Sequence, residues 1–130
     1  MSKIPLVLDV LPDRLAVCRL AADAELPTWV QRGRGLVSVT RTPDELSIVC
    51  PMEQVPAGIR QEGPFRALKV RGPLDFALTG ILSGIAQTLA LAQISIFALS
   101  TFDTDYILVR SGDLEEAAIQ LELAGHTVDK

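Results

Sequence analysis

Residues 100–105 read Ser-Thr-Phe-Asp-Thr-Asp. Three hydroxyls and two carboxylates in six positions can hold a polar ligand, or they can simply fold a turn, because Ser, Thr and Asp side chains hydrogen-bond their own backbone. Asp105 points to the first use. The run Tyr106-Ile107-Leu108-Val109 follows it, so its carboxylate opens an apolar strand. There it can meet a ligand ammonium through a charge-assisted hydrogen bond in a partly desolvated setting. Phe102 serves equally well as a lid over such a pocket or as a hydrophobic plug. Ser100 and Thr101 bring hydroxyls to the start of the turn and Thr104 brings a third.

A second place for chemistry is the segment Gly72-Pro73-Leu74-Asp75-Phe76-Ala77-Leu78-Thr79-Gly80, which leads into a helix. The first amides of a helix have no partner within it, and the dipole there favours negative charge. Gly80 has no side chain to keep an α-carboxylate from those amides. The alternative is structural: Thr79 caps the helix and Gly80 allows close packing.

Little else is suited to catalysis. The serines lack a G-x-S-x-G elbow. His126 is the sole histidine and has no acidic or thiol partner nearby in sequence, so it reads as a strand-end side chain. Cys18 and Cys50 lie in apolar runs without C-x-x-C spacing and read as small buried hydrophobes. Glu115, Glu116 and Glu122 form a solvated helix face. No cofactor, no metal and no enzymatic activity are expected.

The elements that must position these residues follow from periodicity. The first half reads as strands at Ile4 to Val10 and Leu15 to Leu20, expected to form a hairpin. Further strands are expected at residues 36–40 and 46–50, with a short helical turn between 21 and 31 and another between 51 and 58. In the second half a strand is expected at residues 65–70. A helix follows over 79–92, with Ile81, Ile85, Leu89 and Ala92 on its buried side. Strands at 94–99 and 105–109 flank the Ser100 turn. A final helix starts at Asp113, with Glu116 completing a capping-box pattern, and Gly125 ends it. Residues 126–128 form a last strand. The order β-α-β-β-α-β over residues 65–130 is a ferredoxin-like α+β arrangement, an antiparallel sheet with both helices on one face. Val37 to Cys50 also aligns without gaps on Ile96 to Val109, placing Thr42 on Thr101 and Asp44 on Asp103.

The whole chain fits this picture. Its 130 residues suit one compact domain or two small units. Hydrophobic residues make up 48% and charged residues 22%, a globular composition. The net charge of -4 and the lack of a large Lys/Arg cluster argue against nucleic acid as a partner. No stretch approaches the roughly 18 apolar residues of a membrane helix. A cytoplasmic protein is the expectation.

The stretches Leu68-Lys69-Val70, Gly72-Pro73-Leu74-Asp75-Phe76, Thr79-Gly80-Ile81-Leu82 and Ser100-Thr101-Phe102-Asp103-Thr104-Asp105-Tyr106 resemble an ACT domain. They are similar, more narrowly, to the ACT type of the CASTOR arginine sensors and of small bacterial proteins with two ACT-like units. The resemblance implies an ACT domain over 64–130 and a degenerate, abbreviated ACT-like unit over 1–63. It implies amino-acid binding, a sensor-type regulatory role, homo-oligomers, a dimer above all, and a regulated partner protein. Carried onto this sequence, Thr79, Gly80 and Ile81 would meet a carboxylate through their backbone. Thr101 and Phe102 would line the pocket, and Asp105 would meet a cationic group. The sensors have an acidic residue before the position of Thr79, where this chain has Ala77 and Leu78, so a smaller or neutral amino acid fits better. The alternative is an interaction module that dimerises through sheet edges and binds no ligand.

Overall fold

The computed structural model describes residues 4–31, 34–72 and 80–130. In chain order its elements are β1 (Val7–Val10), β2 (Leu15–Leu20), α1 (Thr28–Gln31), β3 (Ser38–Arg41), β4 (Leu46–Pro51), β5 (Gln61–Val70), α2 (Ile81–Leu91), β6 (Ile96–Ser100), β7 (Asp105–Arg110), α3 (Leu114–Leu123) and β8 (Thr127–Asp129). The chain divides into two compact units, one of Asp13–Phe65 and one of Met1–Pro12 with Arg66–Lys130.

In the C-terminal unit β7 pairs with both β6 and β5. β1 pairs antiparallel with the last residues of β5, Leu8 facing Val70 and Val10 facing Leu68. On its other side β1 runs parallel to β8, Val7 facing Thr127. A βαββαβ fold alone would set β8 against β5; here β1 is inserted between them. α2 and α3 cover one side of these strands. Ile85 and Leu89 of α2 and Ala117, Ala118 and Leu121 of α3 share one core with Leu8, Leu68, Val70, Ile107 and Val109. Period-two alternation along the strands and the i, i+4 spacing along α2 produce that core. The α+β class and the placement of both helices in one core match the expectation.

The expected hairpin of the first two strands does not form. β2 pairs with β4 and with residues 61–65 of β5, while β1 takes residues 68–70. The ten-residue β5 is long enough to serve both. The Leu11 amide donates to the Ala67 carbonyl at 2.9 Å and the Arg66 guanidinium donates to the Leu11 carbonyl at 2.9 Å. These bonds keep the chain on β5 beyond Val10 instead of folding it back.

Both helix ends of the C-terminal unit close in the same way. After α3, the Gly125 amide donates to Glu122 and the His126 amide to Leu121, both at 3.0 Å, with Gly125 at φ 102°. After α2, the Gln93 amide donates to Ala90 and the Ile94 amide to Leu89, both at 2.9 Å. Here a glutamine holds the left-handed position, at φ 62°, which favours glycine. Gln93→Gly is therefore expected to stabilise the fold by about 0.5–1 kcal/mol, the relieved strain exceeding the entropy of a more flexible unfolded chain. A thermal melt of the variant checks it. The capping box at Asp113 is not made: its side chain accepts no cap hydrogen bond. A 3-10 turn over Ser111–Asp113 runs straight into α3 and gives Asp113 helical torsions, φ -100° and ψ -4°, instead of the extended ones a cap needs.

His126 is structural, as its sequence context suggests. Its Nδ1 accepts the Leu6 amide at 3.1 Å and the Thr127 amide donates to the Leu6 carbonyl at 2.8 Å, so β8 grips the start of β1. Asp9 and Asp129 face each other across the same two strands. Arg71 spans them, donating to both carboxylates. The guanidinium hydrogen bond holds the Asp9 carboxyl below the usual carboxylate range. A depressed pKa contributes stability that is present above the unfolded value, about 4, and is lost as pH falls through the lower folded value. Arg71→Ala is expected to lower the melting temperature at neutral pH, with the difference from the parent vanishing in acid once Asp9 is protonated; melts from pH 7 down to pH 2 check this.

The N-terminal unit has strand order β3-β4-β2-β5, all neighbours antiparallel. Its helical parts are short: the four residues of α1 and a 3-10 turn at Met52–Gln54. Cys18 and Cys50 are buried in its core with Ala16, Val30, Leu46 and Ile48. The neighbouring Cys50 thiol and burial together push Cys18 well above the ordinary thiol range.

The internal repeat extends to the hairpins. In β3–β4, Val39 faces Ile48 and Arg41 faces Leu46. In β6–β7, Ala98 faces Ile107 and Ser100 faces Asp105, the same register 59 residues later. The turns agree as well. The Thr42 amide donates to the Glu45 carbonyl at 2.9 Å and the Thr42 hydroxyl accepts the Glu45 amide at 3.1 Å. The Thr101 amide donates to the Thr104 carbonyl at 2.8 Å and the Thr101 hydroxyl accepts the Thr104 amide at 3.3 Å.

Candidate functional site

The turn between β6 and β7 starts from a closing pair, Ser100 opposite Asp105. The Ser100 hydroxyl donates to Asp105 Oδ1 at 2.6 Å, which fixes a half-buried carboxylate at the mouth of the hairpin. Thr101 then closes the turn with its own amide and hydroxyl, the hydroxyl also donating to the Thr104 carbonyl at 3.1 Å. Phe102 and Asp103 form the exposed tip, and Phe102 is 81% exposed. The plug reading of Phe102 therefore does not hold in this conformation.

Thr104 is what ties this turn to the rest of the unit. It is 5% exposed, and its hydroxyl donates to the Val70 carbonyl at 2.5 Å. Val70 ends β5, two residues before Gly72, so the turn is anchored where the chain leaves the sheet for the loop to α2. Gly80 occupies the N-cap of α2 with φ 79° and ψ -2°. Among the described residues no side-chain cap hydrogen bond closes this end. The Gly80 carbonyl accepts the Gly84 amide at 2.9 Å and the Ser83 hydroxyl at 3.3 Å. The left-handed conformation is the reason for glycine here, since a side chain would cost about 1–2 kcal/mol.

Of the six residues the sequence points to, Thr79 lies outside the described residues, as does the rest of 73–79. Ile81 packs its half-buried side chain against the core, which leaves only its backbone for a ligand. Thr101, Phe102 and Asp105 share one turn, joined there by Ser100. Gly80 lies ten residues after Val70, the last residue of β5, whose carbonyl Thr104 holds. Sequence reading passed over Thr104 as one more turn hydroxyl; the signal available was a threonine followed at once by a strand buried from Ile107 to Val109. Arg71, beside the loop, is already engaged by Asp9 and Asp129. Chemically the turn offers a carboxylate and hydroxyls, and the helix start offers backbone amides. Among the described residues no cluster of His, Cys, Asp and Glu has the arrangement of a metal site, and no helix is long and apolar enough to cross a membrane.

Comparison with known proteins adds the following. A family model described as an ACT domain matches residues 61–122, and a separate model described as an N-terminal domain matches residues 13–58. No curated protein matches the chain. The crystal structure of protein Atu0741 from Agrobacterium tumefaciens is 41% identical with a TM-score of 0.90, over 97% of this chain and 93% of that one. A Vibrio cholerae protein, VC0802, described as of unknown function and a possible transport protein, is 18% identical with a TM-score of 0.75, over 91% of this chain and 88% of that one. The aspartate kinase of Clostridium acetobutylicum, described as an allosteric enzyme, is 14% identical with a TM-score of 0.60, over 91% of this chain and 33% of that one. The two distant likenesses speak to the fold alone.

Proposed function

The chain belongs to the ACT domain family, and from that premise we propose that it is a non-catalytic regulatory protein that binds an amino acid, a sensor of the CASTOR type acting from the cytoplasm. The observation that carries the reading is the Ser100–Asp105 turn, a polar, internally bonded turn that Thr104 anchors to β5 at the start of the loop leading to Gly80. In this reading Asp105 meets the ligand's ammonium, while Thr101 and Phe102 line the pocket. The backbone of Thr79, Gly80 and Ile81 meets the carboxylate, because the first amides of a helix favour an anion. Ala77 and Leu78 favour a small or neutral side chain. In this reading the chain's one histidine has a structural use, its Nδ1 accepting the Leu6 amide. The N-terminal unit is the abbreviated ACT-like copy, and the protein works as a homodimer that hands its ligand state to a regulated partner.

Thermal melting with each of the twenty amino acids tests this. A ligand at a hundredfold excess over Kd adds about 2.7 kcal/mol of stability, a shift of several degrees. A flat response at millimolar concentration for all twenty would overturn it.

One observation favours a second reading. β6 pairs only with β7 among the described strands, so it offers a sheet edge to another copy. A protein that dimerises through this edge and binds nothing would show a concentration-dependent mass and no amino-acid response.

A further inference from the structure

The two hairpins share a register, but their closing pairs differ. Where the C-terminal unit has Ser100 and Asp105, the N-terminal unit has Arg41 and Leu46. Leu46 is 1% exposed and belongs to the core, so the position matching Asp105 carries no carboxylate for an outside cation. Arg41 reaches away from its hairpin instead. Its Nη1 donates to the Ala22 carbonyl and its Nη2 to the Ala24 carbonyl at 2.7 Å. Those carbonyls lie on the connection from β2 to α1, the counterpart in element order of the connection from β5 to α2. From β2, Arg19 Nη2 donates to the Asp44 carbonyl at 3.0 Å in the matching turn. Connection and turn are thus both pinned by the unit's own cations.

We propose that the N-terminal unit carries a built-in occupant: the Arg41 guanidinium fills, from within the chain, a guanidinium-accepting site formed by the Ala22 and Ala24 carbonyls. This rests on the reading of the C-terminal turn as a ligand site. The unit is then a closed copy that takes up no ligand, and the chain holds one ligand, not two. Two carbonyls two residues apart, each met by a different terminal nitrogen, suit the planar fork of a guanidinium. A lysine ammonium is a single point charge and does not span them in the same way. Removing the side chain while keeping the backbone frees the two carbonyls, which a small guanidinium compound spans better than an ammonium does.

The chain has one tryptophan, Trp29. It lies on α1 and packs against the same core as Ala24, which makes its fluorescence a local reporter of the β2–α1 connection. Arg41→Ala is expected to change Trp29 emission and to lower the melting temperature by about 3 °C. Arg41→Lys, which keeps the charge and most of the stem, is expected to behave like Arg41→Ala. Millimolar methylguanidinium should return more than half of the Trp29 change in Arg41→Ala, methylammonium should not, and the parent should respond to neither. If Arg41→Ala fails to fold, the melting of Arg41→Lys with and without methylguanidinium gives the same comparison. The inference is overturned if Arg41→Lys equals the parent, if the two cations act alike, or if the parent responds as the variant does. None of these measurements contains an amino acid, so their failure is separate from a flat amino-acid screen.

Discussion

Replacing Asp105 by alanine is expected to weaken the amino-acid response roughly thirtyfold while moving the melting temperature of the free protein very little. A hydrogen bond between a charged carboxylate and a ligand ammonium contributes about 2 kcal/mol, and each 1.4 kcal/mol is about tenfold in affinity. The free protein is nearly unaffected because what Asp105 does there is modest. It accepts one hydroxyl, from Ser100, in an exposed pair, and the turn's own backbone bond between Thr101 and Thr104 remains. Asp105→Asn separates charge from shape, since the amide oxygen can still accept from Ser100 while the attraction for the ammonium is gone. Calorimetry of parent, Ala and Asn forms against the best ligand from the melting screen gives the answer. Equal affinity in all three would remove Asp105 from the site.

The second large effect is expected at Thr104. Thr104→Val preserves shape and deletes only the hydroxyl that reaches the Val70 carbonyl. Because the residue is buried, the loss is not made good by water, and a cost of about 1–2 kcal/mol is expected. Unlike Asp105→Ala, this variant should lose stability and ligand response together, since it frees the turn from the end of β5 without touching any group proposed to meet the ligand. Thr104→Ser is expected to recover most of both. A valine form that melts lower but binds as tightly as the parent would show that the anchor serves the fold alone. In the N-terminal hairpin Glu45 holds the matching place, so the buried hydroxyl belongs to the C-terminal copy.

How much of this was legible beforehand divides along a physical line. Strands and helices came from local pattern: period two along Phe65 to Val70 and helical spacing along Ile81, Ile85 and Leu89. The left-handed stop at Gly125 was equally legible, because a helix end is written in a few neighbouring residues. What sequence misplaced was non-local. Ile4 to Val10 looked like half of a hairpin because neighbouring strands usually pair. Nothing in the strand itself says that its partners are Leu68 to Val70 and Thr127 to Asp129. The capping box at Asp113 was a local pattern overridden by the 3-10 turn before it. At the site, the residue types of the turn were readable, whereas the difference between Thr101, which serves the turn, and Thr104, which serves the sheet, depends on burial and on a carbonyl 34 residues away. The matching registers of the two hairpins were foreshadowed by the gapless alignment. The opposite fates of Arg41 and Ser100 within it were not.

The insertion of β1 between β5 and β8 also sets an order in time. Chains are made from the N-terminus, so β1 leaves the ribosome before the strands it pairs with, and its partner Thr127 is added 120 residues after Val7. Asp13–Phe65 is a contiguous stretch and has all its strands in hand while synthesis continues. The C-terminal unit cannot close its sheet until β8 is released, and until then β1 waits with the edge that meets β8 open. Asp9 sits in the middle of that strand. The carboxylate that Arg71 neutralises in the finished protein is, during the wait, a charge that discourages the nascent strand from pairing with the wrong chain.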